Sequence, residues 1–338
     1  MKTNISINLL KSKDVNNLKN FIKNYFKKDS IYVKDKRILK WFHLSNNKYF
    51  CYIAKRKKEI LGFQLYIPLS LFDNNLTGQF FNSFWFVKKS KVVGVGYKLF
   101  ETVTNSKTSK FIGVVGINPK LLNFHKNQKF TVSKMSHYFM QNLELKKKLL
   151  KYNYKNNTSK ISIQFNKVTL LNYKSTIDKK IFNFSYPIKT KKYILNRYIL
   201  NPFYNYQLYM IKKNNLKIFV VFRIINKKKN KIIKIIDLIG DQKNIKLLGI
   251  FFKKYMYDNK IEYADIYFNG INEKYFKKAG FTNRYETNEI ISNSFEPYVN
   301  TNIDIYCAYR LNKSNIKKNI RLMRGDGDSD RPNKISKI

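Results

Sequence analysis

Hydrophobic positions recur with two different periods along the first 145 residues. Val15, Leu18 and Phe21 lie three residues apart and predict one apolar face of a helix over residues 14–27. Alternating or short apolar stretches predict strands at residues 5–9, 49–55, 59–68, 77–87, 111–117 and 130–143. Further helical periods lie at residues 36–44, 97–104 and 119–128. The first part of the chain is therefore predicted to be a mixed α and β domain.

The second half repeats this order of elements. Strands and helices are predicted, in sequence order, at residues 207–212, 217–226, 231–239, 243–258 (helix), 263–269, 273–279 (helix) and 302–309. The intervening residues 146–160 are polar and rich in lysine and asparagine, which is typical of a linker. A chain of 338 residues also exceeds the size at which one core stops growing. We predict an α+β protein with domains at 1–145 and 161–338, joined by a linker at 146–160.

The formal charge of +46 raises the possibility of nucleic-acid binding. However, only nine of the 67 basic residues are arginine, the side chain that forks onto phosphates and base edges. Lysines spread along the chain are more typical of solvated faces, so we expect no dedicated nucleic-acid site. The charge would nevertheless draw anionic ligands toward any cleft.

Two cysteines and the hydropathy pattern bear on the compartment. Cys51 and Cys307 are far apart and form no spaced metal motif, which favours a reducing compartment, no disulfide and no metal. The longest apolar runs fall well short of the roughly 20 residues that cross a bilayer. We expect a soluble cytoplasmic protein whose charge allows peripheral contact with a membrane; nothing in the pattern predicts its oligomeric state.

The residues 84–100 contain the most informative local pattern. An aromatic strand ends, Gly94 and Gly96 follow within a loop, and an amphipathic helix begins at once. Such a bend exposes unpaired main-chain N–H groups at a helix N-terminus, where they can bind a pyrophosphate. The alternative is a glycine turn that only packs a helix on a sheet.

In this context the loop resembles the signature of the GNAT acyltransferases, Arg/Gln-x-x-Gly-x-Gly/Ala, with Lys91 in place of Arg or Gln. Further segments resemble a tandem GNAT-like family of bacterial surface-polysaccharide gene clusters. They are residues 21–26 with Trp41, residues 134–142 and residues 325–333. The family form of the last segment, Gly-Asp-Gly-Asp-Gln-Asp-Arg-Pro-Asn, differs here only at Ser329. We call residues 325–330 the acidic tail.

The resemblance implies two tandem GNAT-like domains, each a mostly antiparallel sheet flanked by helices, with the acyl-coenzyme A site in the first. The implied reaction moves an acyl group, such as acetyl, from acyl-coenzyme A to the amine of a nucleotide- or lipid-linked amino sugar for O-antigen or capsule synthesis. On the donor side, the resemblance implies Phe86 and Val87 for the thioester, Asn118 for the pantetheine, and, for the pyrophosphate, Lys91, Val93, Gly94, Val95, Gly96 and Tyr97. It implies His125 as the acid that protonates the thiolate. On the acceptor side it implies His137 and Tyr138, and for substrate binding Trp41, Asp326, Asp328, Asp330 and Arg331.

Several interpretations remain open at this point. His125 and His137 can equally be histidines without a catalytic role, and no carboxylate on residues 79–87 identifies a general base. The acidic tail either folds back onto Lys, Arg or an acceptor ammonium, or is a mobile end. Residues 237–242 lack a second glycine, so no second coenzyme site is predicted. The competing functions are a Fem-type transferase that uses aminoacyl-tRNA and a non-enzymatic nucleic-acid-binding protein.

Overall fold

The computed structural model describes residues 5–89, 92–105, 108–145, 149–151, 162–227, 230–295, 298–312 and 319–333. The strands of the first half are β1 (Ser6–Leu9), β2 (Leu44–Ser45), β3 (Lys48–Tyr49), β4 (Cys51–Arg56), β5 (Glu59–Pro68), β6 (Gln79–Val87), β7 (Phe111–Val115), β8 (Thr131–Lys134) and β9 (Ser136–Gln141). Its helices are α1 (Val15–Tyr25), α2 (Ile31–Lys34), α3 (Lys36–His43), α4 (Val95–Thr104) and α5 (Leu122–Asn127).

The described residues of the second half form ten further strands. They are β10 (Gln164–Lys167), β11 (Gln207–Lys213), β12 (Leu216–Lys227), β13 (Asn230–Gly240), β14 (Tyr263–Asn269), β15 (Thr282–Asn283), β16 (Ser294–Phe295), β17 (Tyr298–Val299), β18 (Tyr306–Leu311) and β19 (Leu322–Met323). The helices are α6 (Tyr173–Thr176), α7 (Lys191–Ile194), α8 (Lys246–Asp258) and α9 (Lys274–Lys278), and α7 continues into a π-helical turn, Leu195–Ile199.

Two large sheets form the framework. The first has the order β1-β4-β5-β6-β7-β18-β8, and the second has the order β10-β11-β12-β13-β14-β9-β15, with β19 paired to β14. Neighbouring strands are antiparallel except for two parallel pairs, β6 with β7 and β13 with β14. Helices flank these sheets, and the predicted α+β class with mostly antiparallel sheets is confirmed.

The two sheets exchange one strand each. β18, from the second half, lies between β7 and β8, with Cys307 opposite both Val115 and Ser133. β9, from the first half, lies in the second sheet, with His137 opposite Tyr267. Most of the predicted linker 146–160 lies outside the described residues. The predicted division into 1–145 and 161–338 therefore stays a prediction, but the sheets themselves cross it.

Each parallel pair opens part-way along its length. β6 pairs with β7 only from Gln79 to Asn82, and then continues to Val87 along β5. β13 likewise pairs with β14 only from Ile232 to Ile235. Strands that diverge leave main-chain groups free to bind something else. These two openings are the places where the fold can admit a ligand or another segment.

The chain itself enters the second opening. Gly325 donates from its main-chain N–H to the Ile236 carbonyl at 2.8 Å, just beyond the last β13–β14 pair. β19 adds to β14 there, with Met323 opposite Phe268. The acidic tail thus occupies the second opening, whereas the first opening leads into a cavity.

A shared hydrophobic cluster joins the two sheets. It contains Phe63 and Phe81 of the first sheet together with Phe219 and Tyr267 of the second. Burial of apolar side chains from both halves in one cluster couples their stability. Within the described residues, no helix is both long and apolar enough to cross a membrane.

Candidate active site

A cavity of about 520 Å³ lies at the opening between β6 and β7. The first half supplies the wall formed by Trp85, Phe100, Gly116, Leu121 and His125, among others. The far wall comes from the second half and from the segment around the acidic tail: Tyr204, Arg223, Ile225, Asn293, Arg324, Asp328, Ser329, Arg331 and Asn333. The cavity is therefore completed by residues more than 200 positions apart in sequence.

Two buried amides on this wall lack partners. Gln64 of β5 is 1% exposed and Asn82 of β6 is 6% exposed. Within the described part of the chain, neither their side-chain oxygens nor their nitrogens make a hydrogen bond. Leaving such a group unpaired costs about 1–3 kcal/mol, a cost that a polar ligand in the cavity would remove. Both residues line the cavity, at the point where β6 leaves β7.

The glycine bend lies next to this cavity. Gly94 adopts φ +82° at the start of α4, and a Cβ built on it would meet nothing within 4 Å. Val93 before it is 92% exposed. Gly96 packs against the Trp85 ring, where a Cβ would lie 3.0 Å from Cζ2. Trp85 lines the cavity, so the open bend and the cavity are adjacent.

The other predicted loop residues have mixed surroundings. Val95 is buried and anchors the first turn of α4, while the exposed Tyr97 hydroxyl donates to Glu101 at 3.1 Å. The first N–H groups of a helix have no partner within it, so this turn presents donors beside the exposed bend. Lys91 lies outside the described residues.

The strand residues at the opening differ from those predicted. Phe86 and Val87 pair with Phe63 and Gly62 of β5, and the Phe86 ring packs against Phe21 and Phe26. The residues of β6 that line the cavity are 82–85. Phe86 and Val87 thus lie beyond the part of β6 that lines the cavity, because β6 leaves β7 immediately after Asn82, and their role toward the thioester stays a prediction.

Asn118 lines the cavity as well. Its side-chain oxygen accepts from the Lys120 main-chain N–H at 3.1 Å and caps the turn at Pro119–Leu121. Asn118 is the residue that the resemblance implies for the pantetheine. The cap holds this side chain in one orientation.

His125 lines the cavity as a neutral ring. Its Nδ1 lies 2.9 Å from the Leu121 carbonyl, which can only accept, so Nδ1 carries the proton and Nε2 is an acceptor. Burial among Phe100, Phe124 and Phe130 lowers the pKa of this imidazole. This geometry disfavours the predicted role of His125 as the acid that protonates the thiolate.

His137 and Tyr138 do not reach the cavity. Both are fully buried; His137 Nε2 lies 2.8 Å from Asp265, and the Tyr138 hydroxyl donates to Glu273 at 2.8 Å. Burial lowers the pKa of His137 to about 4. The prediction that this pair lies at the acceptor cleft is wrong, because β9 crosses into the second sheet.

Trp41 also lies away from the cavity. Its ring packs against Phe72 and Phe203, at centroid distances of 6.2 and 6.5 Å, and it is absent from the cavity lining. Its position on α3 serves packing between the first half and the loop that follows the π-helical turn. The assignment of Trp41 to substrate binding is corrected accordingly.

The acidic tail is buried, and each of its aspartates has a different set of partners. Asp326 accepts from the Met323 N–H at 2.7 Å and pairs with Lys189 at 3.0 Å. Asp330 accepts from the Tyr206 hydroxyl at 2.8 Å and from Arg223 at 2.7 Å. These two carboxylates fasten the tail to the second half.

Asp328 instead faces the cavity. It accepts from the Tyr32 hydroxyl at 3.0 Å and from Arg331 at 2.5 Å. Burial raises the pKa of this carboxyl, but Arg331 and the hydrogen bonds outweigh burial and leave the pKa below its usual value. Asp328 is therefore an ionised carboxylate at neutral pH, and among the residues that line the cavity it is the acidic one.

Arg197 holds the backbone of the tail. Its guanidinium donates to the carbonyls of Gly325 at 2.9 Å and Gly327 at 2.7 Å. It lies over the rings of Phe42 and Phe72, at 4.9 and 5.1 Å from their centroids. The π-helical turn that contains Arg197 had no detectable signal in the periodicity of the sequence.

Sequence reasoning missed most of the far wall. Tyr204, Arg223, Asn293 and Arg324 were not predicted as site residues, since they come from separate loops and strands of the second half. One signal could have found two of them: arginine is rare in this chain, so the arginines are candidates for contacts that need a planar fork of donors. As to metals, the described residues contain no group of three or more His, Cys, Asp or Glu placed to hold an ion.

Comparison with known proteins was informative at the level of structure. No protein-family model matches the sequence, and no curated protein matches it either. A GCN5-related N-acetyltransferase from Anabaena variabilis matches with a TM-score of 0.59 at 10% identity, covering 91% of this chain and 73% of that one. The chain has the GNAT fold. A GCN5-related glucosamine N-acetyltransferase region of a fungal multi-domain β-N-acetylglucosaminidase also matches, with a TM-score of 0.51 at 11% identity, covering 92% of this chain and 38% of that one.

Within this GNAT fold, the first opening and the second differ in what they hold. The first combines an exposed glycine bend with a cavity, whereas the second contains the acidic tail. Asp237, on β13 beyond the second opening, accepts from Lys189 and Tyr198. The second opening is thus filled by protein.

Proposed function

We propose that the protein is an N-acyltransferase that moves an acyl group, acetyl in the simplest case, from acyl-coenzyme A to the amine of an amino-sugar intermediate. One observation carries the proposal: the strands β6 and β7 open beside an exposed glycine bend, into a cavity whose wall holds an ionised carboxylate. Transfer from a thioester to an amine requires a site that binds the donor at one end and the acceptor at the other. We further propose a cytoplasmic enzyme of surface-polysaccharide synthesis.

The donor end is the bend at residues 93–97. Gly94 leaves open space in front of the first turn of α4, where main-chain N–H groups favour a pyrophosphate. The pantetheine would then follow the opening past residues 82–85 and Asn118. Unpartnered amide groups of Gln64 and Asn82 can pair with the polar groups of that arm or with the acceptor.

The acceptor end is the wall that contains Asp328. An amine arrives at neutral pH as an ammonium, and an ionised carboxylate in a partly enclosed cavity binds it and orients it. Tyr32 and Arg331 hold Asp328 in place. Because its pKa is low, the Asp328 carboxylate is a weak base that binds the ammonium without keeping its proton. The ammonium proton is therefore released to solvent before the amine reacts.

The reaction then balances simply. The free amine forms the new C–N bond at the thioester carbonyl, and the C–S bond breaks. One of the two N–H protons of the amine ends on the coenzyme thiol. The site contributes position and charge, which are the main terms for direct transfer between two bound substrates.

Two considerations support an amino sugar as acceptor. The acidic tail resembles a motif of surface-polysaccharide proteins, and this motif is a structural part of the cavity. A structure with the same fold is described as a glucosamine N-acetyltransferase region. A thiol-release assay with acetyl-coenzyme A across amino sugars, free and nucleotide-linked, tests the reaction directly.

Charge substitutions at Gly94 test the donor end. Gly94→Glu and Gly94→Lys impose the same left-handed strain and similar bulk, but opposite charge, in front of α4. We expect the Glu variant to bind coenzyme A at least about 10-fold more weakly than the Lys variant by titration calorimetry, since the ligand is anionic. Equal affinities in the two variants would contradict a pyrophosphate site at this bend.

A further inference from the structure

The second-half end of the cavity concentrates arginine. Arg223, Arg324 and Arg331 line it, although the whole chain has nine arginines among 67 basic residues. No lysine is among the described residues that line the cavity. Arginine presents a planar fork of donors that matches an oxyanion, whereas lysine is a single flexible donor. The presence of arginine at this end of the cavity, in a lysine-rich chain, therefore favours a specific contact with an oxyanion.

These guanidinium groups are held rigidly. Arg223 stacks on the Tyr204 ring, 3.9 Å from its centroid, and pairs with Asp330 at 2.7 Å. Arg324 donates to the Asn293 carbonyl at 3.0 Å and lies 3.5 Å from the same Asp330 carboxylate. Groups fixed in this way lose little freedom when a ligand binds.

The charges around Arg223 and Arg324 do not cancel. Both face the one carboxylate of Asp330, whose other side-chain partner within the described part of the chain is the Tyr206 hydroxyl. Burial by itself lowers the pKa of Arg223, but the Asp330 carboxylate beside it outweighs burial and raises that pKa. Two guanidinium groups facing one carboxylate leave one positive charge over at this end, and an anion in the cavity would balance it.

We infer that Arg223 and Arg324 form a subsite for an oxyanion on the acceptor, either a phosphate or a carboxylate, while its amine faces Asp328. This inference rests on the proposed function, because it describes the other end of the same acceptor. The acceptor class is then an amine that also carries an anionic group, as in a phosphate-linked amino sugar or an amino acid. A neutral amino sugar would leave the excess positive charge unbalanced.

Binding of simple anions to the coenzyme-saturated protein tests the subsite. With the donor site filled by excess coenzyme A, the probes inorganic phosphate, uridine diphosphate and acetate are titrated and their dissociation constants measured. We expect at least one probe to bind, and Arg223→Gln or Arg324→Gln to weaken it at least about 10-fold. The preferred probe distinguishes phosphate, nucleotide and carboxylate recognition. Failure of all three to bind would overturn the inference.

Two further variants separate loss of the subsite from loss of the fold. Arg223→Lys keeps the charge beside Asp330 but lacks the fork, so we expect an intermediate affinity and a near-native melting temperature. Arg56→Gln removes one positive charge at the exposed pair with Glu59 and should bind as the unaltered protein does. If this control weakens binding as much as Arg324→Gln, the effect is general charge, and the subsite is refuted.

The outcome also separates the two proposals. Coenzyme A binding without anion binding refutes the subsite and leaves the acyltransferase proposal standing. If coenzyme A does not bind, the proposed function fails, and the same anion titrations on the free protein still decide the subsite.

Discussion

Asp328 shows how one residue connects the fold to the chemistry. Its neighbours in the acidic tail, Asp326 and Asp330, form ion pairs with Lys189 and Arg223, while Asp328 faces the cavity and accepts from Tyr32 and Arg331. An ionised carboxylate there has acceptor capacity left over. At the scale of single residues, the tail thus divides into two anchors and one group available to a ligand.

The Asp328→Asn variant tests this division. It keeps the shape but removes the negative charge that binds the ammonium. We expect kcat/KM for the acceptor to fall about 100-fold, with the affinity for coenzyme A nearly unchanged. Steady-state kinetics and calorimetry provide the two measurements. Asp304→Asn, at a surface pair with Arg284 and Lys134, is the matched control. Equal losses in both variants would speak against Asp328.

Arg197 is a residue whose role is stability. Arg197→Met removes two hydrogen bonds and leaves the buried carbonyls of Gly325 and Gly327 without their donor. We expect the free energy of unfolding to fall by about 3 kcal/mol, measured by urea denaturation. Arg56→Met, on the surface, should change it by less than about 0.5 kcal/mol. A small effect at Arg197 would mean that the tail is not held through its backbone.

At the scale of elements, the exchange of β9 and β18 decides the architecture. β18 supplies the strand between β7 and β8, and β9 fills the place beside β14. Without the exchanged strand, each sheet would have a gap one strand in from its edge, between β7 and β8 in the first sheet and between β14 and β15 in the second. Main-chain groups in such a gap cannot be satisfied by the rest of the sheet.

Separate expression of the halves tests this dependence. Residues 1–145 contain β7 and β8 but lack β18, so we expect the fragment to show no cooperative thermal transition. Fusing residues 304–312 to it should restore one, because the missing ladder can form again. Circular dichroism melts provide the measurement, with a scrambled version of the added segment as control. A cooperative melt of residues 1–145 alone would contradict the prediction.

At the scale of the whole molecule, all three histidines of the chain are buried. Burial lowers the pKa of His43 and of His137 to about 4, and it lowers the pKa of His125 as well. An unfolded chain would protonate these rings near pH 6.5. Below that pH the unfolded state binds more protons than the folded state, so folding becomes less favourable.

Acid should therefore destabilise the protein before its carboxylates titrate in the unfolded chain. Above pH 6.5 the histidines are neutral in both states and do not reduce the free energy of unfolding. As the pH falls from 6.5 toward about 4, they are protonated in the unfolded chain only, and the free energy of unfolding decreases. We expect unfolding at pH 5.3 to take up about two to three protons, obtained from the slope of the unfolding free energy against pH. Imidazole titration by NMR is the independent check. A slope of zero between pH 6.5 and 5 would show that the rings are protonated in the folded state.

Local patterns in the sequence predicted most of the longer helices and strands, the α+β class and the glycine bend. Period, apolar runs and glycine positions report on local conformation, and for this reason Gly94 and the helix after it were predicted within two residues of the observed start at Val95. The same pattern could not show which sheet a strand joins. His137 lies on a correctly expected strand, yet that strand belongs to the second sheet.

Local patterns could not predict how the second half completes the site. Asp328 could be recognised as unusual in a basic chain, but its partners Tyr32 and Arg331 lie 296 and 3 residues away from it. Arg223 and Arg324 become cavity residues only because the second sheet and the tail are placed against the first opening. Local periodicity depends on neighbours along the chain, whereas strand pairing and cavities depend on contacts between distant segments. For this reason the sequence pattern predicts local elements, whereas the cavity and its lining can be read only from the folded structure.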